Sequence, residues 1–455
     1  MEEDEAPVRV VPSRLHSHQH PQLLSHGLRP DLYPDPNGPG TLHIAYRGDP
    51  EVTGTDTIWQ ESGRGYPKKR TLMRIGIFTC NYKPLLNGLS SSIEIFSREF
   101  RRRGHQVFIF APRYPGHREQ EEGVFRFPSL RAPTHHQYTL PIPFSFRVAA
   151  LLPSLGLDVI HAQHPFLLGA YGGKVARRLS LPLVFTHHTL YEEYSHYLPV
   201  APPLARWWVI RMSVSFANQA DLVIAPTHGL KDLLRARGVR TRIEVVPTGV
   251  EVEEERTAFL TPAELGLPSG ARILLSVGRL AREKNLVVLL QAFGRIAAEF
   301  PTCYLVLVGD GDERGHLEEM ASRMGLRGRV IFAGAKPREE LGPYYRAADL
   351  LLFTSLSEAQ GLVVAESMSH GLPVVALRSF AVEDLIEDGV NGYLAADLDG
   401  LVTQVRELLL DPEKRRRFSQ EAKLKVREFA APALAERLLD LYRELVEAGR
   451  GRWKS

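Results

Sequence analysis

Short apolar segments alternate with amphipathic ones from Met73 onward, and the alternation runs through the chain twice. Segments that are apolar along their whole length and separated by helical stretches are typical of parallel sheets covered on both faces. The sequence therefore predicts an α/β fold with two Rossmann-like, doubly wound domains that face each other across a cleft. The first series of expected strands is Arg74–Thr79, Gln106–Ala111, Asp158–His161, Leu183–Thr186, Asp221–Ala225 and Ile243–Val246, and the second is Ile273–Val277, Tyr304–Val308, Val330–Phe332, Leu350–Phe353 and Pro373–Ala376.

Changes in composition set the expected domain boundaries. Residues 1–72 carry clusters of Pro, Gly and His without a helical period, so we predict a disordered extension there. Residues 73–248 form the first domain, residues 249–264 a Glu-rich linker, residues 265–430 the second domain, and residues 431–455 a C-terminal helix and tail. The segment His16-Ser-His-Gln-His20 could bind a metal ion, although a solvated tail is the simpler interpretation.

Charge, cysteine content and hydropathy exclude several classes of protein. The 455 residues carry a formal charge of only +3, so nothing indicates a nucleic-acid partner. The two cysteines lie far apart in sequence, which favours a reducing compartment without disulfides or a zinc site. No apolar run reaches the roughly 18 residues of a membrane span, and no signal peptide is visible. We therefore expect a cytoplasmic protein.

Two cations follow the first strand of the second series. Arg279 and Lys284 stand in a loop that begins directly after Val277. Ligands of open α/β sheets bind beyond the carboxyl ends of the strands, where a planar guanidinium and an ammonium can grip a diphosphate. A solvated basic loop is the alternative interpretation of this segment.

Two glutamates frame the start of a predicted helix in the second domain. Glu358 follows the strand Leu350–Phe353, and Glu366 lies within the helix predicted at Leu362–Ser369. Gly361 allows close approach of a ligand, and a helix start presents N–H groups to an anion or a sugar hydroxyl. By spacing alone, an ordinary helix entry with a solvent-facing Glu366 explains the pattern equally well.

Several segments, in the right order, resemble the retaining glycosyltransferases of the GT-B fold, and glycosyltransferase family 4 in particular. Besides the two motifs above, they are Leu305–Gly311, Phe332–Gly334, Tyr344–Asp349, His370–Val375 and Asp388–Gly392. The resemblance implies that Arg279 and Lys284 hold the donor diphosphate and that Glu366 accepts hydrogen bonds from the ribose. It also implies that Glu358 lies at the transferred sugar as a catalytic residue, beside the backbone amides of Gly361, Leu362 and Val363.

The same resemblance assigns roles to the first domain. A glycine loop lies under the donor phosphates in such enzymes, and here it contains Gly88, although many relatives have two consecutive glycines at this point. His188 matches a catalytic histidine near the sugar, and the adjacent His187 leaves that assignment ambiguous by one position. His164 is expected to face the acceptor side of the cleft. For His164 and for the His187–His188 pair, a purely structural histidine fits nearly as well.

Residues 185–199 and 357–364 look like the branch that contains the bacterial diacylglycerol glucosyltransferases, which are peripheral membrane enzymes. The resemblance implies UDP-glucose as donor and a lipid acceptor at an anionic membrane surface. Arg206, Trp207 and Trp208 would face the acceptor or the membrane on a helix of the first domain, because basic and aromatic residues together suit such a surface. Core packing of the two tryptophans is the alternative. An earlier stretch with Arg126, Arg131, Phe144, Phe146 and Arg147 has the same character.

Other functions remain as alternatives. A glycosyltransferase with a soluble acceptor and a sugar-nucleotide epimerase share the expected fold, and a non-catalytic sugar or lipid scaffold is a further option. A dehydrogenase is disfavoured, because no complete dinucleotide fingerprint follows the first strand. Asp310-Gly-Asp312 resembles the metal-binding motif of another glycosyltransferase class, but it follows a strand of the second domain. With Arg279 and Lys284 available to neutralise a diphosphate, we expect no metal and no other cofactor.

Overall fold

The computed structural model describes residues 30–34, 42–46, 72–85, 87–131, 139–192, 202–252 and 259–452. The chain divides into two compact units, residues 1–70 and 71–455. In the first unit, the described residues form an antiparallel pair, β1 (Pro30–Pro34) and β2 (Leu42–Tyr46). The remainder of residues 1–71, including the histidine motif at residues 16–20, lies outside the described residues.

The second unit contains two sheet-centred parts, which we call the first lobe (residues 72–252) and the second lobe (residues 259–430). The elements of the first lobe are β3 (Arg74–Phe78), α1 (Gly88–Arg102), β4 (Gln106–Pro112), β5 (Val124–Phe127), β6 (Ser129–Arg131), β7 (Thr139–Pro141), α2 (Phe146–Leu151), β8 (Val159–Ala162), α3 (Leu168–Leu179), β9 (Leu183–Thr186), α4 (Pro202–Ala217), β10 (Leu222–Ala225), α5 (His228–Ala236) and β11 (Ile243–Val245).

The second lobe repeats this plan and is followed by one long helix. Its elements are β12 (Arg272–Val277), α6 (Leu286–Glu299), β13 (Cys303–Val308), α7 (Arg314–Arg323), β14 (Val330–Gly334), α8 (Leu341–Ala347), β15 (Leu350–Phe353), α9 (Leu362–Ser369), β16 (Val374–Leu377), β17 (Gly392–Ala395), α10 (Leu398–Leu410), α11 (Pro412–Val426) and, after the lobe, α12 (Ala431–Arg452).

The strand order of both sheets is that of a doubly wound fold. Among the described residues, the first sheet has the order β11-β10-β9-β8-β3-β4-β5 and the second the order β14-β13-β12-β15-β16-β17. All of these neighbouring strands are parallel. In each sheet the direction of winding reverses beside the first strand, between β3 and β8 and between β12 and β15. A ligand crevice is expected at these switch points, beyond the carboxyl ends of the strands.

The C-terminal helix α12 returns to the first lobe. Leu438, Leu439 and Tyr442 are buried in the same hydrophobic cluster as Ile75 and Phe100 of the first lobe. The Tyr442 and Phe100 rings lie 5.8 Å apart, centroid to centroid, in an edge-on arrangement. A strand such as β3 that is buried on both faces needs a covering layer on each, and α12 supplies part of one of them.

Candidate active site

The loop after β12 holds the two predicted phosphate-binding cations. Gly278 adopts φ +145°, and the loop after β13 approaches it so closely that a Cβ on Gly309 would lie 1.8 Å from the Gly278 carbonyl oxygen. Glycine at 309 therefore permits the contact between the two loops. Arg279 and Lys284 line a cavity of about 310 Å³ at the carboxyl edge of the second sheet.

Each of these cations is paired with a carboxylate. Arg279 forms an ion pair with Glu283, and the Lys284 ammonium forms one with Glu358. The Thr354 hydroxyl donates to the Lys284 carbonyl oxygen at 2.9 Å, which ties the loop after β15 to the loop after β12. The two sequence motifs thus meet at the switch point of the second sheet.

The segment from Glu358 to the start of α9 is held by internal hydrogen bonds. The Gly361 amide donates to the Ala381 carbonyl oxygen at 2.9 Å, and the Leu362 amide donates to the Gln360 carbonyl oxygen at 3.0 Å. Gly361 is the N-cap of α9, and Leu362 and Val363 begin its first turn. A sugar contact through these three amides stays a prediction.

Glu366 lies in a different setting from Glu358. It is buried on α9, where the Tyr345 hydroxyl donates to its Oε2 at 3.1 Å and the Arg338 Nε lies 2.9 Å from its Oε1. Burial raises the pKa of the Glu366 carboxyl, and Arg338 and Tyr345 act in the opposite direction. Arg338 was not found from the sequence. Its position after β14 could have indicated a place at the site, because β14 runs parallel to β12 and the carboxyl ends of both strands lie at the same edge of the sheet.

The first lobe contributes the start of α1. The Asn87 side chain accepts from the Ser90 amide and the Ser90 hydroxyl accepts from the Asn87 amide, both at 2.9 Å, so a capping box fixes the first turn. Gly88 is exposed, and a Cβ built on it would meet no atom within 4 Å. Space is therefore open at Gly88, and the start of a helix is a favourable place for an anion.

The adjacent histidines 187 and 188 point toward different surroundings. The His188 Nε2 lies 2.6 Å from Gln163 Oε1, and both residues line a largely apolar cavity of about 380 Å³ beneath the carboxyl edge of the first sheet. His187 is buried against α4, where its Nε2 lies 3.1 Å from the Ser213 hydroxyl. Burial lowers the pKa of His187 to about 3 and holds that of His188 well below its ordinary value of 6.5. The geometry thus favours His188 over His187 as the residue of the cleft.

His164 has a structural hydrogen bond. It is buried, and its Nδ1 accepts from the Cys80 amide at 3.2 Å, which fixes the end of β3 to the end of β8. Burial lowers the pKa of the His164 ring to about 4, so the ring is neutral near pH 7. Its role on the acceptor side remains a prediction.

The two lobes meet beside Glu358. Thr189, next to His188, forms an isolated backbone bridge with Glu358. The Gln360 side chain accepts from the Thr248 amide at 2.7 Å and donates to the Thr248 carbonyl oxygen at 2.9 Å. The loop that carries the predicted catalytic carboxylate therefore lies directly against the first lobe, and the candidate site is shared between the lobes.

The predicted acceptor or membrane residues of α4 are exposed. Trp207 and Trp208 keep 56% and 50% of their surface, and Arg206 is exposed beside them. Core packing of the two tryptophans is therefore excluded in this structure. The Arg211 guanidinium lies 5.6 Å from the Trp207 ring centroid.

The earlier basic and aromatic stretch divides into two kinds of residue. Phe144 is 50% and Phe146 81% exposed, and the two rings contact each other edge-on. Arg126 instead is nearly buried: it pairs with Glu119 and donates to the Lys83 and Pro112 carbonyl oxygens, each at 2.9 Å. Arg126 therefore holds the loop after β3 and does not belong to an exposed surface.

Neither a metal cluster nor a membrane-spanning helix is found in the part of the chain that the structure describes. It contains no group of three His, Cys, Asp or Glu side chains that could hold a metal ion. Asp310 of the Asp310-Gly-Asp312 segment forms an ion pair with Arg314 at 3.6 Å. Among these same residues, no helix has both the length and the apolar character needed to cross a membrane.

Both lobes match families of known proteins. Residues 86–254 match the family described as Glycosyltransferase Family 4, and residues 259–425 match the family described as Glycosyl transferases group 1. The alpha-monoglucosyldiacylglycerol synthase of Streptococcus pneumoniae (strain ATCC BAA-255 / R6) is 31% identical over 82% of this chain and 86% of that protein. The enzyme of the same name from Acholeplasma laidlawii is 25% identical over 82% of this chain and 98% of its own length. A GDP-mannose-dependent alpha-mannosyltransferase of Corynebacterium glutamicum is 28% identical over 82% and 89% of the two chains.

Solved structures show the same fold. The sucrose-phosphate synthase of Thermosynechococcus elongatus superposes with a TM-score of 0.69 at 22% identity, over 83% of this chain and 100% of that one. Anabaena Alr3699/HepE, solved in complex with UDP, superposes with a TM-score of 0.65 at 21% identity, over 82% of this chain and 100% of that one.

Proposed function

Because this chain belongs to the family 4 glycosyltransferases of the GT-B fold, we propose that it transfers glucose from UDP-glucose to a lipid hydroxyl, that of diacylglycerol above all, with retention of the anomeric configuration. One observation carries the proposal at the level of the site. Arg279, Lys284 and Glu358 converge at the switch point of the second sheet, and the bridge from Glu358 to Thr189 brings the neighbour of His188 against them. The two relatives named alpha-monoglucosyldiacylglycerol synthase support the choice of donor sugar and acceptor.

The chemistry of the transfer assigns a role to each charged group. When the bond from the anomeric carbon to the phosphate oxygen breaks, the electron pair stays on the diphosphate and positive charge develops on the sugar. The planar fork of Arg279 and the ammonium of Lys284 stabilise the leaving diphosphate. Since Arg279 and Lys284 are already paired with Glu283 and Glu358, a bound diphosphate replaces these glutamates or shares the cations with them. These two cations supply the neutralisation that a metal ion gives in other enzymes, so we propose a metal-independent reaction.

The remaining residues position the two substrates. Glu366 accepts the ribose hydroxyls, and the open amino terminus of α1 at Gly88 faces the phosphates from the first lobe. Glu358 lies at the transferred sugar, together with His188 from the first lobe. The acceptor hydroxyl oxygen bonds to the anomeric carbon as its proton passes to an oxygen of the departing diphosphate. Closure of the cleft holds the reacting atoms together.

Two exposed aromatic clusters suit a membrane-bound acceptor. The helix α4 connects the carboxyl end of β9 to the amino end of β10, so Trp207 and Trp208 lie toward the carboxyl edge of the first sheet. Phe144 lies between β7 and α2, and Phe146 is the first residue of α2. The Ile142 amide donates to the carbonyl oxygen of Pro128, directly after β5, at 2.8 Å, so this segment lies near the same edge. Exposed aromatics beside Arg206 and Arg147 suit the interface of an anionic bilayer. We therefore place the enzyme at the cytoplasmic face of a membrane, as a peripheral protein.

The first experiment measures nucleotide release from a panel of UDP- and GDP-sugars, with and without vesicles that contain diacylglycerol and an anionic lipid. Release from UDP-glucose that requires the vesicles, with formation of a glycolipid, supports the proposal. The anomeric configuration of that product tests retention. Release from GDP-mannose would instead place the chain with its mannosyltransferase relatives. Release without vesicles or any acceptor would indicate hydrolysis or epimerisation and would reject the lipid acceptor.

The membrane surface is tested by replacing both Trp207 and Trp208 with alanine. We expect weaker sedimentation with anionic vesicles and slower transfer to vesicle-borne diacylglycerol, while nucleotide binding is unchanged because α4 carries none of the proposed donor-binding residues. The control is Leu424→Ala, which removes a 52% exposed apolar side chain from the second lobe. Equal vesicle binding by the tryptophan variant and the wild type would reject this surface.

A further inference from the structure

The arginine at position 338 is bound to a carboxylate that lies deep in the second lobe. The Arg338 Nε is 2.9 Å from Glu366 Oε1, and the Tyr345 hydroxyl donates to the other carboxylate oxygen at 3.1 Å. Both partners come from one short segment after β14, the turn Arg338–Glu340 and the helix α8. This segment thus determines how the Glu366 carboxylate is oriented.

A carboxylate offers about four lone-pair directions, two on each oxygen. Arg338 and Tyr345 engage one direction on each oxygen, so each oxygen can accept one further hydrogen bond. Two acceptors side by side on a fixed carboxylate match the two adjacent hydroxyls of a ribose. Without Arg338, the carboxylate would keep only the hydrogen bond from Tyr345 and would lose the nearest positive charge.

We propose that Arg338 is a positioning residue for donor recognition: it holds Glu366 as an oriented carboxylate that distinguishes a ribonucleotide from a 2′-deoxyribonucleotide. This inference rests on the proposed contact between Glu366 and the ribose. It does not depend on the identity of the base, the transferred sugar or the acceptor.

The groups around Glu366 also predict a dependence on pH. Burial raises the pKa of this carboxyl, whereas Arg338 in the neighbouring turn, Tyr345 on α8 and His370 directly after α9 lower it. Removing Arg338 removes the first of these opposing contributions, so the pKa of Glu366 rises further. A protonated Glu366 accepts fewer hydrogen bonds, and nucleotide binding by the variant should therefore weaken at a higher pH than in the wild type.

The test measures dissociation constants of UDP, GDP and their 2′-deoxy analogues by calorimetry. We expect the wild type to prefer each ribonucleotide by about tenfold or more, the worth of a hydrogen bond to a charged group. Arg338→Ala should lose most of that preference. Arg338→Lys should keep part of it, because lysine restores the charge without the planar fork. The matched control is Arg323→Ala, which removes an exposed arginine paired with Glu319 on α7.

A double variant separates positioning from a general loss of structure. Adding Arg338→Ala to Glu366→Gln should change neither the ribose preference nor its pH dependence, because the oriented carboxylate is already absent. If Arg338→Ala keeps the wild-type preference, or weakens ribo- and deoxyribonucleotides equally, the inference is wrong while the role of Glu366 stands. If Glu366→Gln itself keeps the preference, the ribose contact in the proposed function is wrong and the inference falls with it.

Discussion

Each charged side chain that the sequence places at the donor site is paired with an opposite charge. Arg279 is paired with Glu283, Lys284 with Glu358, and Glu366 with Arg338. Because a partly buried charge without a partner is costly, these pairs help to keep the side chains in place. A substitution of one residue in a pair therefore also removes or alters the partner's ion pair. The choice of replacement thus determines which effect an experiment measures.

Glu358→Gln keeps the size of the side chain and removes its charge. We expect the transfer rate to fall by about 100-fold or more, since the carboxylate no longer acts at the sugar when charge develops there. Nucleotide binding should stay within a few-fold of the wild type, because Arg279 and Lys284 are both retained. Steady-state kinetics with a separate binding titration measures both effects. Glu428→Gln, at an exposed pair with Lys425, is the control. Transfer at the full rate would reject the assignment of Glu358.

The buried histidines of the first lobe make stability depend on pH. Burial lowers the pKa of His161 and His187 to about 3 and that of His164 to about 4, from an ordinary 6.5. Between pH 6.5 and pH 4 the unfolded chain binds protons that the folded chain does not, so stability falls as the pH falls. Together, the three rings should lower the free energy of unfolding by about 4 kcal/mol between neutral pH and pH 5.5.

Urea unfolding at pH 7.5, 6.5 and 5.5 measures this loss. His164→Asn retains an acceptor for the Cys80 amide and should reduce the loss between pH 7.5 and pH 5.5 by about 1.4 kcal/mol. His316→Ala, at an exposed position of α7, should leave it unchanged. An identical pH dependence in the wild type and in His164→Asn would show that this ring does not contribute.

At the scale of helices and strands, the sequence predicts most of the fully buried strands closely, with β17 as an exception, and predicts the half-exposed ones poorly. Leu183–Thr186 and Leu350–Phe353 are found where they are expected, because a strand covered on both faces is apolar throughout. The edge strand β5 was missed, since it is half-exposed and contains Arg126. The strand β17 was also not expected from the sequence.

The candidate site also contains some contacts that the sequence pattern predicts and others that it does not. Parallel strands bring the loops after β12 and β15 to one edge, so the proximity of Lys284 and Glu358 follows from the alternating pattern. The pair of Arg338 and Glu366 does not follow from it, because the direction of a side chain in a loop depends on packing that no short pattern encodes. The different surroundings of His187 and His188 are a second example, since they depend on where α4 lies.

The helix α12 was expected as a separate C-terminal element, and the sequence did not indicate which part of the chain it covers. Its buried face contacts the first lobe through Leu438, Leu439 and Tyr442. Leu439→Ala should therefore lower the free energy of unfolding by about 2–5 kcal/mol, as for other large-to-small changes in a core. Leu424→Ala, on the exposed face of α11, should change it little. Equal urea midpoints for the two variants would show that α12 contributes little to the stability of the first lobe.

On the scale of the whole second unit, the chain passes between the lobes at two places that lie side by side. The Val250 amide donates to the Phe429 carbonyl oxygen at 2.9 Å, and the Ala431 amide donates to the Val250 carbonyl oxygen at 3.0 Å. The lobes meet again at Thr248, whose hydroxyl donates to the Ser92 hydroxyl on α1 at 2.8 Å and whose backbone is held by Gln360. A continuous set of contacts thus connects the start of α1 with the loop that carries Glu358.

Gln360→Leu removes both side-chain hydrogen bonds to Thr248 at similar volume and leaves the donor residues of the second lobe in place. If these bonds align the two lobes for transfer, kcat should fall by about tenfold or more, because small misplacements of reacting groups are costly. The dissociation constant of the donor nucleotide should stay near that of the wild type, since Arg279, Lys284 and Glu366 are unaffected. Small-angle scattering with bound nucleotide should show a less closed molecule.

Gln420→Leu, at an exposed position of α11, controls for the change in polarity. An unchanged kcat would mean that the contact between Gln360 and Thr248 does not align the lobes, and equal losses in kcat and nucleotide affinity would mean that Gln360 acts on the donor site alone.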